Sequence, residues 1–225
     1  MSNVKSKLGK RFDDLLLVLQ PPSRELGSVL QGLLKDSPHV VDLGCGQGNH
    51  LRAVGRSESE LWIGIDSHQP SLDVALRNKV YDRIICTNII NWLQDSPDAS
   101  VDTILASCVI EHLDKPLGII LADEMKRVCS RQAIICTPNG FNPQPGTEDN
   151  PVNAHRSGWT AKELTDIGFT ELTGLYGFKG LRSSFGLPTI KPQILGDLIA
   201  KSTSRFVFRH PNLAYQVVGV YRKTP

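Results

Sequence analysis

The chain's 225 residues predict an α/β domain built on a doubly wound, mostly parallel sheet, with helices on both faces. Two observations carry this prediction. Short apolar runs alternate with stretches of helical periodicity along most of the chain. The first of those runs also empties directly into a glycine-rich turn, as strands do at the open edge of such sheets.

The strands are read in order. His39 to Leu43 is the first, and Leu61 to Ile65 the second, closing on Asp66. Arg83 to Thr87, Val101 to Ala106 and Gln132 to Thr137 follow in the same style. Helices are expected between them at about 48–55, 70–78 and 116–129. Residues 1–35 precede the first strand and read as a helical cap. Pro138 to Pro151 is rich in Pro, Asn and Gly and reads as a long loop of the kind that often carries function. A helix is expected over Trp159 to Gly168, with Thr160 as N-cap and Glu163 at capping-box spacing. Phe169 to Tyr176 and Ala214 to Tyr221 read as two late strands. The 177–211 stretch between them, with a helical piece near 192–201, reads as an insertion over the sheet. One domain, 1–225, is expected.

Composition narrows the function classes. Hydrophobic residues make up 40% of the chain, enough for a substantial core. No apolar run has the length of a membrane helix or of a signal-peptide core, so the reading is a soluble cytoplasmic protein. The five cysteines form no CxxC pair and are read as buried thiols. From Gly177 onward there are eight Lys or Arg and one acid, Asp197. That asymmetry is either a solvated basic face or a surface for an anionic substrate, nucleic acid or membrane.

The chemistry is concentrated at Val40-Val41-Asp42-Leu43-Gly44-Cys45-Gly46-Gln47-Gly48. The third glycine falls one residue earlier than in the dinucleotide fingerprint, and Asp42 stands two residues before the first. A pyrophosphate would be repelled by that carboxylate; a ligand with an ammonium and a sulfonium would be attracted. Asp66, roughly 20 residues further on, suits a ribose diol.

These residues, with Ser100-Val101-Asp102 leading to Cys108-Val-Ile-Glu111-His112-Leu113, resemble the class I S-adenosylmethionine-dependent methyltransferases. Thr137-Pro138-Asn139-Gly140 and His155-Arg-Ser-Gly158-Trp159-Thr160 resemble the branch acting mostly on small molecules. The resemblance spans roughly residues 38 to 175. It implies a seven-stranded sheet of order 3-2-1-4-5-7-6 with strand seven antiparallel. It also implies S-adenosylmethionine as cofactor, leaving as S-adenosylhomocysteine.

On that resemblance the cofactor-binding residues are Asp42, Gly44, Cys45, Gly46 and Gly48 at the methionine end. Asp66 takes the ribose, with Ser67 and His68 flanking the adenine. Asn88 and Ile89 lie along the ring, and Ser107 sits at the end of the fourth strand. Relatives often carry an Asp where this chain has Asn88, whose side-chain carbonyl can still accept from the adenine amine. His112 and His155 are the candidate catalytic residues, His112 as general base or as a residue of the cofactor shell. Ubiquinone-biosynthesis O-methyltransferases resemble this region and use metal-binding acids there. One of those acids is replaced here by Cys108, so no metal is expected.

The acceptor is expected to be a small molecule, O- or N-methylated and anionic if the basic stretch serves it, with nucleic acid not expected. RNA or protein methylation, a nicotinamide oxidoreductase and a non-catalytic cofactor-binding subunit are the competing readings.

Overall fold

The structure, a computed structural model, describes residues 24–55, 60–183 and 186–224. Residues 1–23 of the expected cap lie outside them. The rest of the cap is helix α1, Arg24–Leu34. The sheet strands are β1 His39–Leu43, β2 Leu61–Asp66, β3 Arg83–Cys86, β4 Val101–Ser107, β5 Cys129–Pro138, β6 Glu171–Phe178 and β7 Ala214–Arg222. They hydrogen-bond in the order β3-β2-β1-β4-β5-β7-β6. β1 to β5 are mutually parallel and β7 is antiparallel to both β5 and β6, as the resemblance implied.

Connecting helices are α2 Gln69–Asn78, α3 Ile89–Asp95, α4 Lys115–Val128, α5 Ala161–Asp166 and α6 Gln193–Arg209. The central strands β1 and β4 are buried along nearly their whole length, which is why they read as continuous apolar runs without alternation. Each sheet face has its own apolar cluster. Val41, Leu43, Ile104, Ile135 and Trp159 belong to one, and Leu30, Val40, Trp62, Leu105 and Val218 to the other. Alternate residues of a strand therefore serve opposite faces, as the pleat requires.

Several elements depart from expectation. Residues 49–54 are turns, not a helix. Gly48 sits at φ 78° and Gly55 follows, so the run between them is too short to propagate a helix. Helix α3 was not anticipated, although Asn88 caps it by accepting from the amides of Ile90 and Asn91. The late helix α6 runs to Arg209, well past the expected end. Cys86, expected to be buried, is exposed because β3 is an edge strand. The capping box at Thr160 and Glu163 forms as read.

Trp159 is buried against Gly118 of α4, and Lys115 Nζ stands 3.8 Å above its ring while also pairing with Glu163. A Cβ on Gly118 would lie 2.4 Å from Trp159 Cζ2. Glycine in a helix interior is normally worse than alanine by about 1 kcal/mol. Here the sign reverses: Gly118→Ala is expected to destabilise the protein by about 1–3 kcal/mol through overpacking, read from a denaturant midpoint.

Candidate functional site

β1, β2 and β4 run parallel, so the segments that leave them gather at one edge of the sheet. Asp42 and the loop Gly44–Gly48 lie there, with Asp66 and the turn after Ser107. Gly44 has φ 63°, and a Cβ there would meet Val109 Cγ2 at 2.6 Å, so only glycine serves. Among the described residues, a Cβ on Gly46, at φ 51°, would meet nothing within 4 Å. The backbone at Gly46 thus borders open space, where a ligand could approach it closely.

Asp66 holds this loop. Its Oδ2 accepts from the Gly46 amide and its Oδ1 from the His68 amide, both at 2.8 Å. Each carboxylate oxygen retains a further lone-pair direction for a ribose hydroxyl. Asp66 therefore ties the glycine loop to the turn before α2. Ser67 and His68 occupy that turn, and the His68 ring bonds to Ser71 Oγ at 2.8 Å and to the carbonyl of Asp149 at 3.2 Å.

Asp42 is only 3% exposed. Its Oδ2 accepts from the Tyr81 hydroxyl at 2.6 Å. Burial pushes its carboxyl up to about 7, and the nearby Asp66 charge adds to the rise. Tyr81 was not visible as a site residue in the sequence. It crosses β2 at Gly64, where a Cβ would lie 2.9 Å from both Cys45 Sγ and the Tyr81 ring. A cation in the crevice favours the ionised form of Asp42. Affinity for a cationic ligand is accordingly expected to weaken as pH falls through about 7, as a calorimetric pH series would show.

Asn88 is the N-cap of α3. Its carbonyl oxygen is taken up by the two α3 amides, so the cap competes with any adenine amine for it. The amide nitrogen of Asn88 is the group left to offer a ligand. Ile89 opens α3 and packs against the core. Ser107 is buried, and its hydroxyl has no hydrogen-bond partner among the described residues.

After Ser107 the chain turns through Cys108, at φ 57°, into the 3-10 turn Ile110–His112. Glu111 is 2% exposed. Thr137 Oγ1 donates to its Oε2 at 3.0 Å, while its Oε1 has no hydrogen-bond partner among the described residues. Burial pushes this carboxyl up to about 7, opposed by Thr137 and the neighbouring Cys108 thiol. The His112 and His155 rings meet edge to face with centroids 4.9 Å apart. Burial lowers the pKa of both, which favours neutral imidazoles.

The segment that brings His155 here is tied to the 3-10 turn through main-chain bonds. The amides of Arg156 and Ser157 both donate to the Glu111 carbonyl, at 2.8 and 3.1 Å. Ser157 Oγ and Trp159 Nε1 donate to the Ile110 carbonyl. The structure therefore unites the two histidines the sequence singled out, 43 residues apart, and adds Glu111 to them.

The raised acids have a consequence for stability. Glu111 moves from 4.5 unfolded to about 7 folded, so between those values the native state binds the extra proton. This stabilising contribution is full below about 4.5 and is lost as pH rises through about 7. The melting-temperature advantage of Glu111→Gln over the parent is expected to grow from pH 5.5 to pH 8. A constant difference would show that Glu111 titrates normally.

The strand order with its antiparallel seventh strand, and the glycine loop with Asp42 and Asp66, define a class I methyltransferase fold. Residues 41–137 match a family model described as a methyltransferase domain. No curated protein matches the chain. Among solved structures, a SAM-dependent methyltransferase from Archaeoglobus fulgidus is 17% identical, with a TM-score of 0.55 over 87% of this chain and 94% of that one. The small RNA methyltransferase HEN1 is 18% identical (TM-score 0.57), covering 90% of this chain and 25% of that one. The plantazolicin methyltransferase BamL, solved in complex with a triazolic desmethylPZN analog and SAH, is 18% identical (TM-score 0.54), covering 98% of this chain and 91% of that one. The cofactor of this class is S-adenosylmethionine.

Proposed function

We propose that this chain transfers a methyl group from S-adenosylmethionine to an oxygen or nitrogen of a small-molecule acceptor. The residues present suit that cofactor. Buried Asp42 would face its ammonium, the open backbone at Gly46 would admit the methionine chain, and Asp66 would take the ribose hydroxyls. The bound cofactor supplies an already activated methyl group. The protein's own work is then alignment and exclusion of water.

The observation that carries the acceptor reading is the recessed cluster of Glu111, His112 and His155 beside this crevice. His112 Nδ1 donates to the Ala154 carbonyl at 3.2 Å, which leaves Nε2 as the basic atom. A neutral imidazole so oriented can accept the proton of an acceptor hydroxyl or ammonium as the methyl arrives. Residues 139–160 and the 179–213 segment both leave strands at this same edge, and β6 ends there at Phe178. They are the parts of the chain placed to select the acceptor.

A second reading, methylation of RNA or protein, is favoured by α6. Its exposed side carries Lys201, Arg205 and Arg209 among Leu198, Phe206 and Phe208. Methyl-labelled S-adenosylmethionine incubated with a host extract separates the two. Label in the small-molecule fraction supports the leading reading. Label in RNA or protein, with binding that falls steeply with salt in the RNA case, replaces it.

A further inference from the structure

β5 and β6 run in the same direction, each antiparallel to β7, so the loops that follow them emerge at the crevice edge of the sheet. Helix α6 packs on β6 in the opposite sense. Phe178 N donates to Thr203 Oγ1 at 3.3 Å, and a Cβ on Gly177 would meet the carbonyl oxygen of Ala200 at 2.6 Å. Ala200 and Thr203 therefore stand level with the end of β6. Residues 193–199 of α6 project beyond it by about 10 Å, at a helical rise of about 1.5 Å per residue.

This projecting end is apolar on the outside. Ile194 is 76% exposed and Leu198 60%, with Leu195 also exposed beside them. The Arg182 guanidinium bonds to Asp197 Oδ1 at 3.3 Å and to the carbonyl of Gly186 at 2.7 Å. It thereby joins the helix end to the turn that carries exposed Leu187. Tyr215 links that turn to the next loop: its hydroxyl donates to the Ser183 carbonyl at 3.0 Å and accepts from Asn142 Nδ2 at 3.4 Å. Phe141, 62% exposed, precedes Asn142. Exposed apolar side chains scattered singly need no account, but five on adjoining segments of one rim mark a contact surface.

The charge around the rim says what it meets. Ile194, Leu198, Lys201 and Arg205 follow one another at i, i+4, i+7 and i+11, a single exposed stripe down the helix. The tip of the stripe is apolar and its cations begin one turn further along, with exposed Lys179 and Lys191 on the adjoining segment. The one acid in the 177–211 stretch, Asp197, is paired with Arg182. The acids of the 139–160 loop, Glu148 and Asp149, lie toward the cofactor side, where His68 bonds to the Asp149 carbonyl. An apolar tip belted by Lys and Arg matches a bilayer of anionic lipid, whose acyl layer takes the apolar groups and whose headgroups take the cations. RNA would satisfy the cations and leave Ile194 and Leu198 in water. A second copy of this rim would set cation against cation.

We propose that the rim formed by Phe141, Leu187, Ile194, Leu195 and Leu198 docks on an anionic phospholipid bilayer, with Lys191, Lys201 and Arg205 at headgroup level. Docking goes beyond the methyltransferase reading and does not depend on it.

The test is co-sedimentation of the full-length chain with phosphatidylcholine vesicles, with and without phosphatidylglycerol, beside a calorimetric titration with S-adenosylhomocysteine. The chain is expected to pellet with the vesicles that contain phosphatidylglycerol and to stay in solution with phosphatidylcholine alone. Raised salt should weaken the binding. Ile194→Asp combined with Leu198→Asp, and Lys191→Glu combined with Lys201→Glu, should each weaken it about tenfold or more. Melting temperature and S-adenosylhomocysteine affinity should stay at the parental values in both. Absence from both vesicle pellets overturns the docking surface, as does pelleting that the folded Ile194 and Leu198 variant does not reduce. A parental dimer that those substitutions dissociate, or binding to RNA and not to vesicles, gives the rim to another occupant and overturns it too. Vesicle binding without S-adenosylhomocysteine binding keeps the docking surface and sinks the methyltransferase reading. S-adenosylhomocysteine binding without vesicle binding does the reverse.

Discussion

Alanine in place of His112 is expected to lower the methyl-transfer rate by about 10²–10⁴-fold, the usual worth of a positioned proton acceptor. S-adenosylhomocysteine affinity should stay close to that of the parent. The asymmetry follows from where the ring stands. It lies beyond the end of β4, in edge-to-face contact with His155, and its Nδ1 bonds to the carbonyl of Ala154 in the acceptor-side loop. Burial favours the neutral ring, which offers a lone pair without adding a positive charge beside a sulfonium. Single-turnover rates and calorimetric affinities on the same preparation give the two numbers. Equal losses in both would move His112 into the cofactor shell.

Asp66→Ala is expected to act the other way, on cofactor affinity first. A lost hydrogen bond to a charged group costs about 1–3 kcal/mol. Asp66 is placed to lose more than one. The substitution removes the acceptor for ribose and also leaves the amides of Gly46 and His68 without their carboxylate. The glycine loop would then lose its tie to the turn before α2. The expected weakening of S-adenosylhomocysteine binding is therefore at the upper end of that range, about 100-fold. Asp66→Asn should fall between, since an amide keeps one accepting oxygen. Unchanged affinity in the alanine variant would remove Asp66 from the cofactor site.

The parts of this fold that could be read from the sequence are those set by local pattern. The strand at Val40 to Leu43, the glycines at 44, 46 and 48 and the capping box at Thr160 and Glu163 each depend on neighbours within a few residues. The parts that could not be read depend on distant packing. Tyr81 reaches Asp42 from 39 residues away, through space that Gly64 leaves open, and no periodicity marks it. His155 was a candidate by resemblance, but its meeting with Glu111 and His112 depends on how residues 142–159 fold back, and no spacing rule describes that. Asn88 shows a different ambiguity. A cap residue and an adenine partner look alike in a sequence, and the helix that claims Asn88 was itself overlooked.

The acidic pair at the crevice ties these points together. Asp42 and Glu111 are both buried with carboxyls raised to about 7, one facing the loop that would hold the cofactor and one facing the histidines. Among the described residues no helix is long and apolar enough to cross a membrane. Two raised acids beside open backbone are suited to a cationic ligand and poorly suited to a pyrophosphate.

The most direct measurement is calorimetric titration of the chain with S-adenosylmethionine and, separately, with NAD, at pH 6 and pH 8. The account predicts saturable one-to-one binding of S-adenosylmethionine that is tighter at pH 8, and no binding of NAD. Binding of NAD in its place, or S-adenosylmethionine binding that is absent at both pH values, would contradict it.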